Sequence, residues 1–293
     1  VVAYIGHVTG GHAPGLKDMR TGFLVAHHLL LSHGMALQAF RQLGLKGEIG
    51  ITLNIQLVHP ASEREDDLAA ARRLDGVFNR WYLDPLFRGE YPADIWELLA
   101  GVGVAPAVQE GDLQLIGQPI DFLGINYYSF TLAAHDPGAR ETLGVRMLSG
   151  PGPKTDMGWE IYPPGIYQVL TGIHQKYKPK KLYITENGAA FPDRLEEQRG
   201  GEDGETYAVH DRERVDYLGR HFYQAGRAIE AGVPLAGYFV WSLLDNFEWA
   251  FGYTKRFGII YVDYPTQRRV WKDSARFYQE VVAENSVDDR FAE

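Results

Sequence analysis

The fold prediction starts from the stretch K-L-Y-I-T-E-N-G, residues 181–188. A short apolar run predicts a buried strand, and the strand leads directly into the carboxylate of Glu186. The simplest interpretation is a strand that runs into a polar turn, with Asn187 and Gly188 supplying the positive φ that the turn needs. The alternative is that the strand delivers Glu186 to a functional site at its own C-terminal end.

Strand-like and helix-like segments alternate along the chain on both sides of this stretch. The predicted strands are residues 47–55, 120–128, 181–186 and 235–242, and the predicted helices are residues 23–43, 66–87, 164–177, 211–231 and 272–284. This alternation is typical of parallel strands joined by helical crossovers. Because such folds keep their chemistry at the C-terminal ends of the strands, the pattern favours the functional interpretation of Glu186.

Length and composition fit a single α/β domain. The chain has 293 residues, of which 45% are hydrophobic, and α/β barrels commonly run to about 250 residues as one unit. No linker-like segment divides the chain. We therefore predict one domain over residues 1–293, without an internal boundary.

Composition also excludes several classes of partner. The net charge of −9 disfavours nucleic-acid binding, which needs a basic face to displace counterions. No apolar run reaches the roughly 18 residues of a membrane span, so we expect no membrane partner. The chain has no cysteine, so nothing indicates an oxidising compartment, and we expect a cytoplasmic protein. Its aromatic content of 13% suits a neutral polyhydroxylated ligand.

Polar and aromatic side chains follow three of the predicted strands. Tyr128 lies at the end of one strand and Glu186 at the end of another, while the third runs into W-S-L-L-D-N-F-E-W, residues 241–249. A parallel barrel would bring these ends to one mouth. A carboxylate, a phenol, an amide, a second carboxylate and two indoles are the groups that sugar chemistry uses. Each residue alone has an ordinary structural interpretation, as a core aromatic or a surface acid.

These motifs resemble the family 1 glycoside hydrolases, which are built on a (β/α)8 TIM barrel. The resemblance rests on four stretches: Y-I-T-E-N-G at 183–188, D-F-L-G-I-N-Y-Y at 121–128, G-H-A-P-G-L-K-D at 11–18, and W-S-L-L-D-N-F-E-W-A-F-G-Y-T-K-R-F-G-I-I-Y-V-D-Y at 241–264. It extends from Val1 to about Glu284. It implies that this chain supplies about the second half of a TIM barrel, strands 5–8 and their helices.

The resemblance also implies a function and a site. The function is that of a retaining β-glycosidase, a β-glucosidase acting on terminal non-reducing β-D-glucosyl residues, with galactosyl and fucosyl residues as alternatives and no required cofactor. Glu186 would be the nucleophile, Tyr128 would hydrogen-bond to it, and Asn126 would lie near the acid/base side. The implied substrate-binding residues are Trp241, Glu248, Trp249, Phe257 and, beside the aglycone, Trp159. Glu248 and Trp249 favour an unphosphorylated β-glycoside or oligosaccharide as the substrate.

One part of the family pattern is missing. The Asn-Glu-Pro segment that carries the general acid/base is absent from the sequence, and a retaining glycosidase needs two carboxyl groups. The chain also begins at Val1 without a methionine. We therefore expect a piece of a longer enzyme, whose expected partner is the N-terminal half of the same barrel, and poor hydrolysis by this chain alone.

Three alternatives stay open at this point. A metal enzyme is disfavoured because His27, His28 and His33 lie at poor spacing on one helix and the HExxH pattern is absent, so we predict no metal site. A carbohydrate-binding remnant would keep Glu248 and the tryptophans but not use Glu186. A thioglucosidase would differ at the acid/base position, which lies outside this sequence.

Overall fold

A computed structural model of the chain describes residues 1–139, 143–197 and 207–292. Within these ranges the α-helices are α1 (Met19–Gln42), α2 (Glu65–Asp75), α3 (Trp81–Arg88), α4 (Ala93–Gly101), α5 (Asp112–Ile116), α6 (Pro164–Tyr177), α7 (Arg212–Glu230) and α8 (Asp273–Glu284). The strands are β1 (Gly50–Asn54), β2 (Leu57–Pro60), β3 (Phe122–Asn126), β4 (Phe130–His135), β5 (Val145–Leu148), β6 (Leu182–Asn187), β7 (Glu196–Glu197), β8 (Tyr207–Ala208), β9 (Leu235–Val240), β10 (Ile260–Asp263) and β11 (Arg268–Trp271).

The chain divides into two compact units. Unit 1 comprises Val1–Asn126, Phe130–Gly150 and Ile173–Tyr183, and unit 2 comprises Tyr127–Ser129, Pro151–Gly172 and Ile184–Glu293. The absence of an internal domain boundary stays a prediction.

The central sheet contains the four strands that the sequence predicts. Its order is β1-β3-β6-β9, and β1 and β3 run parallel with Gly50 opposite Phe122 and Asn54 opposite Asn126. Each strand is followed by helical segments before the next one, as parallel pairing requires. The strands are short, and burial is greatest in the two middle strands, as for Leu123 and Ile125 of β3 and Leu182 and Ile184 of β6.

The longest helix, α1, packs in unit 1. It begins at Met19, four residues before the predicted start, because the Asp18 carboxylate caps it by accepting a hydrogen bond from the Thr21 N–H at 2.9 Å. Its buried face carries Phe23, Ala26 and Leu30. By length and composition alone α1 could cross a membrane, a property that it shares with core helices of globular domains.

Two further clusters complete unit 1. A small sheet has the order β2-β4-β5, and α2 packs on it around Leu74, Ala133 and Val145. Around the buried Trp81, the ring of Tyr91 stacks with centroids 4.2 Å apart.

In unit 2 the hairpin β10–β11 leads into α8, which packs against α7. The core between them contains Tyr217, Leu218, Phe222 and Ile259. Both helices therefore stand behind the segment that connects β9 to β10, which contains much of the predicted site.

Candidate active site

Glu186 is held in the middle of a set of backbone hydrogen bonds. The Tyr127 N–H donates to the Glu186 carbonyl at 3.0 Å, and the Trp241 N–H donates to the Asn187 carbonyl at 2.9 Å. The strand end that carries Glu186 therefore lies between the segments that carry Tyr128 and Trp241. The sequence predicts this grouping, and unit 2 contains it.

Gly188 is required here for a reason that differs from the turn interpretation. Neither Asn187 nor Gly188 has a positive φ, so the interpretation of this stretch as a positive-φ turn is wrong. A Cβ atom on Gly188 would lie 1.8 Å from the Trp241 carbonyl oxygen. Glycine is present because two backbone segments approach each other closely beside Glu186.

Asn187 fixes the strand end through its side chain. The fully buried amide donates to the Tyr127 carbonyl at 2.8 Å and to the Tyr217 hydroxyl at 3.0 Å, and its oxygen accepts from the Tyr238 hydroxyl at 2.5 Å. Since buried polar groups are costly unless bonded, these contacts leave one favourable orientation. The backbone at Glu186 is thereby fixed from the residue that follows it.

Tyr128 contacts the Glu186 carboxylate directly. The Tyr128 hydroxyl donates to Glu186 Oε2 at 2.7 Å. Burial and, secondarily, the negative charge of Glu186 raise the pKa of Tyr128 far above its ordinary value, so the phenol keeps its proton and remains the donor. The Tyr217 hydroxyl donates to the Tyr128 carbonyl at 3.3 Å and supports its backbone.

Two further aromatic rings lie beside this pair. The rings of Tyr128 and Trp159 are 5.2 Å apart, those of Tyr128 and Phe257 are 6.3 Å apart, and those of Trp159 and Phe257 are 6.0 Å apart. Phe257 is fully packed at 2% exposure. The three rings form an apolar wall next to a carboxylate, which suits the C–H face of a sugar or an aglycone.

Residues 242–260 form an irregular ladder that shapes the other side of the site. The Ser242 N–H donates to the Phe257 carbonyl at 3.2 Å, and the Ile259 N–H donates to the Ser242 carbonyl at 2.8 Å. The Glu248 N–H donates to the Gly252 carbonyl at 2.7 Å and closes a tight turn. This ladder places Phe257 and Glu248 by backbone bonds.

Glu248 is a buried carboxyl group with 8% exposure. Its pKa is raised, first by burial and then by the negative charge of Glu186. The two carboxyl groups therefore share one electrostatic environment, and a ligand that donates hydroxyl protons to Glu248 would relieve its desolvation.

Three predicted site residues remain to be located, namely Trp241, Trp249 and Asn126. Trp241 is half-buried and its backbone pairs with Asn187, beside Glu186. Trp249 is 57% exposed, in the short 3-10 turn Trp249–Phe251. Asn126 is the last residue of β3 and belongs to unit 1, so its place near an acid/base stays a prediction.

Sequence reasoning missed the residues that hold the site from behind. Asp245, three residues before Glu248, has both carboxylate oxygens bonded to Lys272, Arg256 and two backbone N–H groups. Asp245 therefore does not face a sugar. Lys272 and Arg214 lie at the starts of α8 and α7, distant in sequence from Glu186. Only their burial in the structure identifies them as residues that support the site.

Of the three predicted helix histidines, His27 has hydrogen-bond partners on both ring nitrogens. His27 is buried, with Nδ1 2.8 Å from the Tyr91 hydroxyl and Nε2 3.1 Å from Asp112 Oδ2. Among the described residues, no group of three or more histidines and acids could hold a metal ion.

Comparisons with known proteins identify the family. The model of glycosyl hydrolase family 1 matches residues 1–287. The chain is 49% identical to a 1,4-beta-D-glucan glucohydrolase of Thermotoga neapolitana over 99% of this chain and 63% of that protein. The family 1 β-glucosidase of Thermotoga maritima is 47% identical, with a TM-score of 0.90 over 99% of this chain and 63% of that one. Its complex with glucoimidazole gives a TM-score of 0.89 over 98% and 62%. The chain thus spans less than two thirds of the relatives that it matches.

The family model covers nearly the whole chain, and the relatives include a member of the family that the motifs around Glu186 indicate. This chain belongs to glycosyl hydrolase family 1.

Proposed function

We propose that this chain is the nucleophile-bearing and sugar-binding portion of a retaining β-glucosidase. One observation carries the proposal: the Glu186 carboxylate accepts a 2.7 Å hydrogen bond from Tyr128, beside an aromatic wall and a second buried carboxyl group. The names of the relatives, a glucan glucohydrolase and β-glucosidases, support glucose as the preferred sugar. The binding of glucoimidazole by the Thermotoga maritima enzyme supports the same choice.

In the proposed reaction Glu186 attacks the anomeric carbon of a β-glucoside. A bond forms between the Glu186 carboxylate and C1, the bond from C1 to the aglycone oxygen breaks, and that oxygen leaves with its electron pair and takes up a proton. Water then attacks C1, gives up a proton to a base, and releases Glu186. The hydrogen bond from Tyr128 holds the Glu186 carboxylate in the orientation that the attack needs.

Other residues of unit 2 are assigned to substrate binding. Glu248 accepts hydroxyl protons from the non-reducing sugar and Trp241 stacks on its ring face, with Trp249 and Phe257 completing the subsite. Trp159 flanks the aglycone. A carboxylate at position 248 repels a sugar phosphate, so the substrate is unphosphorylated. Galactosyl and fucosyl residues remain alternatives, since they differ from glucosyl by single hydroxyls.

The proposed enzyme needs a second polypeptide segment for its acid/base. The Asn-Glu-Pro segment of the family is absent from this sequence. Large apolar side chains on and after β9, the edge strand of the central sheet, remain exposed, at 55% for Phe239, 63% for Leu243 and 60% for Phe247. We propose that the N-terminal half of the barrel covers them. A carbohydrate-binding remnant or a thioglucosidase is the second candidate.

A turnover assay with two substrates tests the proposal. A dinitrophenyl β-glucoside has a leaving group that departs without a proton, whereas an alkyl β-glucoside needs an acid. We expect the chain alone to act on the alkyl glucoside very poorly, and we expect turnover to rise at least about a hundredfold when a polypeptide bearing the Asn-Glu-Pro segment is added.

The Glu186→Gln variant provides the control for this assay. It should abolish turnover of both substrates in the complemented mixture, because the attacking carboxylate is gone. Efficient hydrolysis of the alkyl glucoside by the chain alone would contradict the proposed division of labour. Turnover that survives Glu186→Gln would contradict the nucleophile assignment, and sugar binding without any turnover would favour the carbohydrate-binding remnant.

A further inference from the structure

Six charged side chains form a buried network behind the residues to which we assign sugar contact. The network consists of Asp193, Asp211, Arg214, Asp245, Arg256 and Lys272. The side chains of Arg214 and Lys272 are fully buried, and those of the three aspartates are no more than 1% exposed. Three carboxylates balance three cations, so the network is neutral when every member is ionised.

Asp245 connects the sugar-binding segment, residues 242–262, to this network. Its Oδ1 accepts from Lys272 Nζ at 2.9 Å and from the Gly258 N–H at 3.0 Å. Its Oδ2 accepts from Arg256 Nη1 at 2.5 Å and from the Val262 N–H at 3.3 Å. Asp245 lies three residues before Glu248, so these bonds fix the backbone that presents Glu248.

Asp193 connects residues 187–193, the segment that follows Glu186, to the same network. Its Oδ2 accepts from Lys272 Nζ at 2.5 Å and from Arg214 Nη2 at 2.9 Å. Arg214 Nε also donates to the Ala189 carbonyl at 3.2 Å, two residues after Asn187. The chain that leaves Glu186 is therefore held by the same cations as the sugar-binding segment.

Lys272 joins the carboxylates of the two segments through one atom. Its Nζ contacts a carboxylate of each segment, Asp193 and Asp245. Arg214 Nη2 supports the same junction by donating to Asp193 Oδ2 and to the Arg256 carbonyl. Without the ammonium group, Asp193 would keep Arg214 and Asp245 would keep Arg256, but the two buried carboxylates would lose the cation that they share. The structure offers no other cation to Asp193 Oδ2 and Asp245 Oδ1 at once among the described residues.

We propose that Lys272 is a positioning residue for sugar binding. Acting through Asp193 and Asp245, it keeps the segment after Glu186 and the segment that presents Glu248 in one fixed arrangement. It touches neither the substrate nor the reacting atoms. The assignment to sugar binding rests on the proposed function, whereas the mechanical link between the two segments does not.

Hydrogen exchange measured by mass spectrometry tests the link in the 293-residue chain. Lys272→Met should raise amide exchange at least about fivefold in residues 187–193 and in residues 242–262 together, because both lose the same bond partner. Lys272→Arg keeps the charge and should restore much of the protection. Lys181→Met is the matched control, since Lys181 pairs with Glu48 at half-exposed positions, and it should leave both segments unchanged.

Either of two exchange results would overturn the link. One is unchanged exchange in residues 242–262 of Lys272→Met, and the other is a change confined to the residues adjacent to position 272. If Lys272→Met does not fold, Asp245→Asn should raise exchange in residues 187–193 as well as in its own segment, and protection of 187–193 in that variant would reject the proposal.

Kinetics of the complemented enzyme test the consequence for sugar binding. In Lys272→Met the KM for a nitrophenyl β-glucoside should rise about tenfold while kcat stays within about threefold, because an interaction that acts on binding changes KM. An unchanged KM with only a lowered thermal stability would show a merely structural role and would contradict the proposal. If the unaltered chain shows no turnover when complemented, the proposed function fails, and hydrogen exchange still decides the link.

Discussion

The adjacent residues Glu186 and Asn187 differ in their surroundings and in what their side chains contact. Glu186 is half-buried and bonded through its carboxylate to the Tyr128 hydroxyl, whereas Asn187 is fully buried and satisfied by three protein groups. The sequence predicted the pair of Glu186 and Tyr128 because both residues end strands and match family motifs. It did not predict the bonds of Asn187, since Tyr217 and Tyr238 reach it from distant parts of the chain.

The Tyr128→Phe variant tests the contact between Tyr128 and Glu186. Hydrogen bonds to charged groups contribute about 1.5–3 kcal/mol. We therefore expect covalent labelling of Glu186 by an activated fluoroglucoside to slow about ten- to a hundredfold, at 1.36 kcal/mol per factor of ten. The labelling rate is read by mass spectrometry of the intact chain.

Tyr127→Phe is the control for this measurement. It removes a bond of similar length, 2.8 Å, from a tyrosine to the neutral Tyr162 carbonyl. The labelling rate should change less than about threefold, although the chain should lose stability. Equal slowing by both variants would mean that Tyr128 acts only through packing.

At the scale of elements, the sequence predicted the four central strands within a few residues. Their apolar runs and the helices between them carry the pattern, and the predicted helix 164–177 coincides with α6. The prediction missed β4 and β5 because they lie in a glycine- and proline-rich segment without clear alternation. The turn interpretation of Gly188 was wrong because close backbone approach and a positive φ both select glycine, and the sequence does not distinguish them.

Gly188→Ala tests this correction. The added Cβ would lie 1.8 Å from the Trp241 carbonyl oxygen, so the strand end and residue 241 must move apart. We expect a loss of about 2–4 kcal/mol in the free energy of unfolding and a loss of Glu186 labelling. Chemical denaturation monitored by circular dichroism gives the first quantity.

Gly172→Ala supplies the comparison within a helix. Gly172 lies in α6, where an added Cβ meets nothing within 4 Å. Alanine there should raise the free energy of unfolding by about 0.5–1 kcal/mol, since glycine is a poor helix former. If Gly188→Ala were as well tolerated as Gly172→Ala, the close-approach account would be wrong.

At the scale of the whole molecule, the predicted fold is confirmed as part of a (β/α)8 barrel. The chain superimposes on a family 1 β-glucosidase with a TM-score of 0.90 while covering 63% of it. Barrel class and family were accessible from sequence because motifs lie at successive strand ends. The buried ion network was not accessible, because its members are spread from Asp193 to Lys272 and show no periodicity.

The central claim is that Glu186 attacks the anomeric carbon of a β-glucoside from the face opposite the leaving group. The most direct measurement is the product that Glu186→Gly forms from a dinitrophenyl β-glucoside in the presence of azide, identified by NMR. Azide that replaces a missing nucleophile must attack from that opposite face, so we predict an α-glucosyl azide whose formation depends on the variant. A β-glucosyl azide, which is the product expected when azide replaces an acid/base, would contradict the assignment, as would the absence of any rescue.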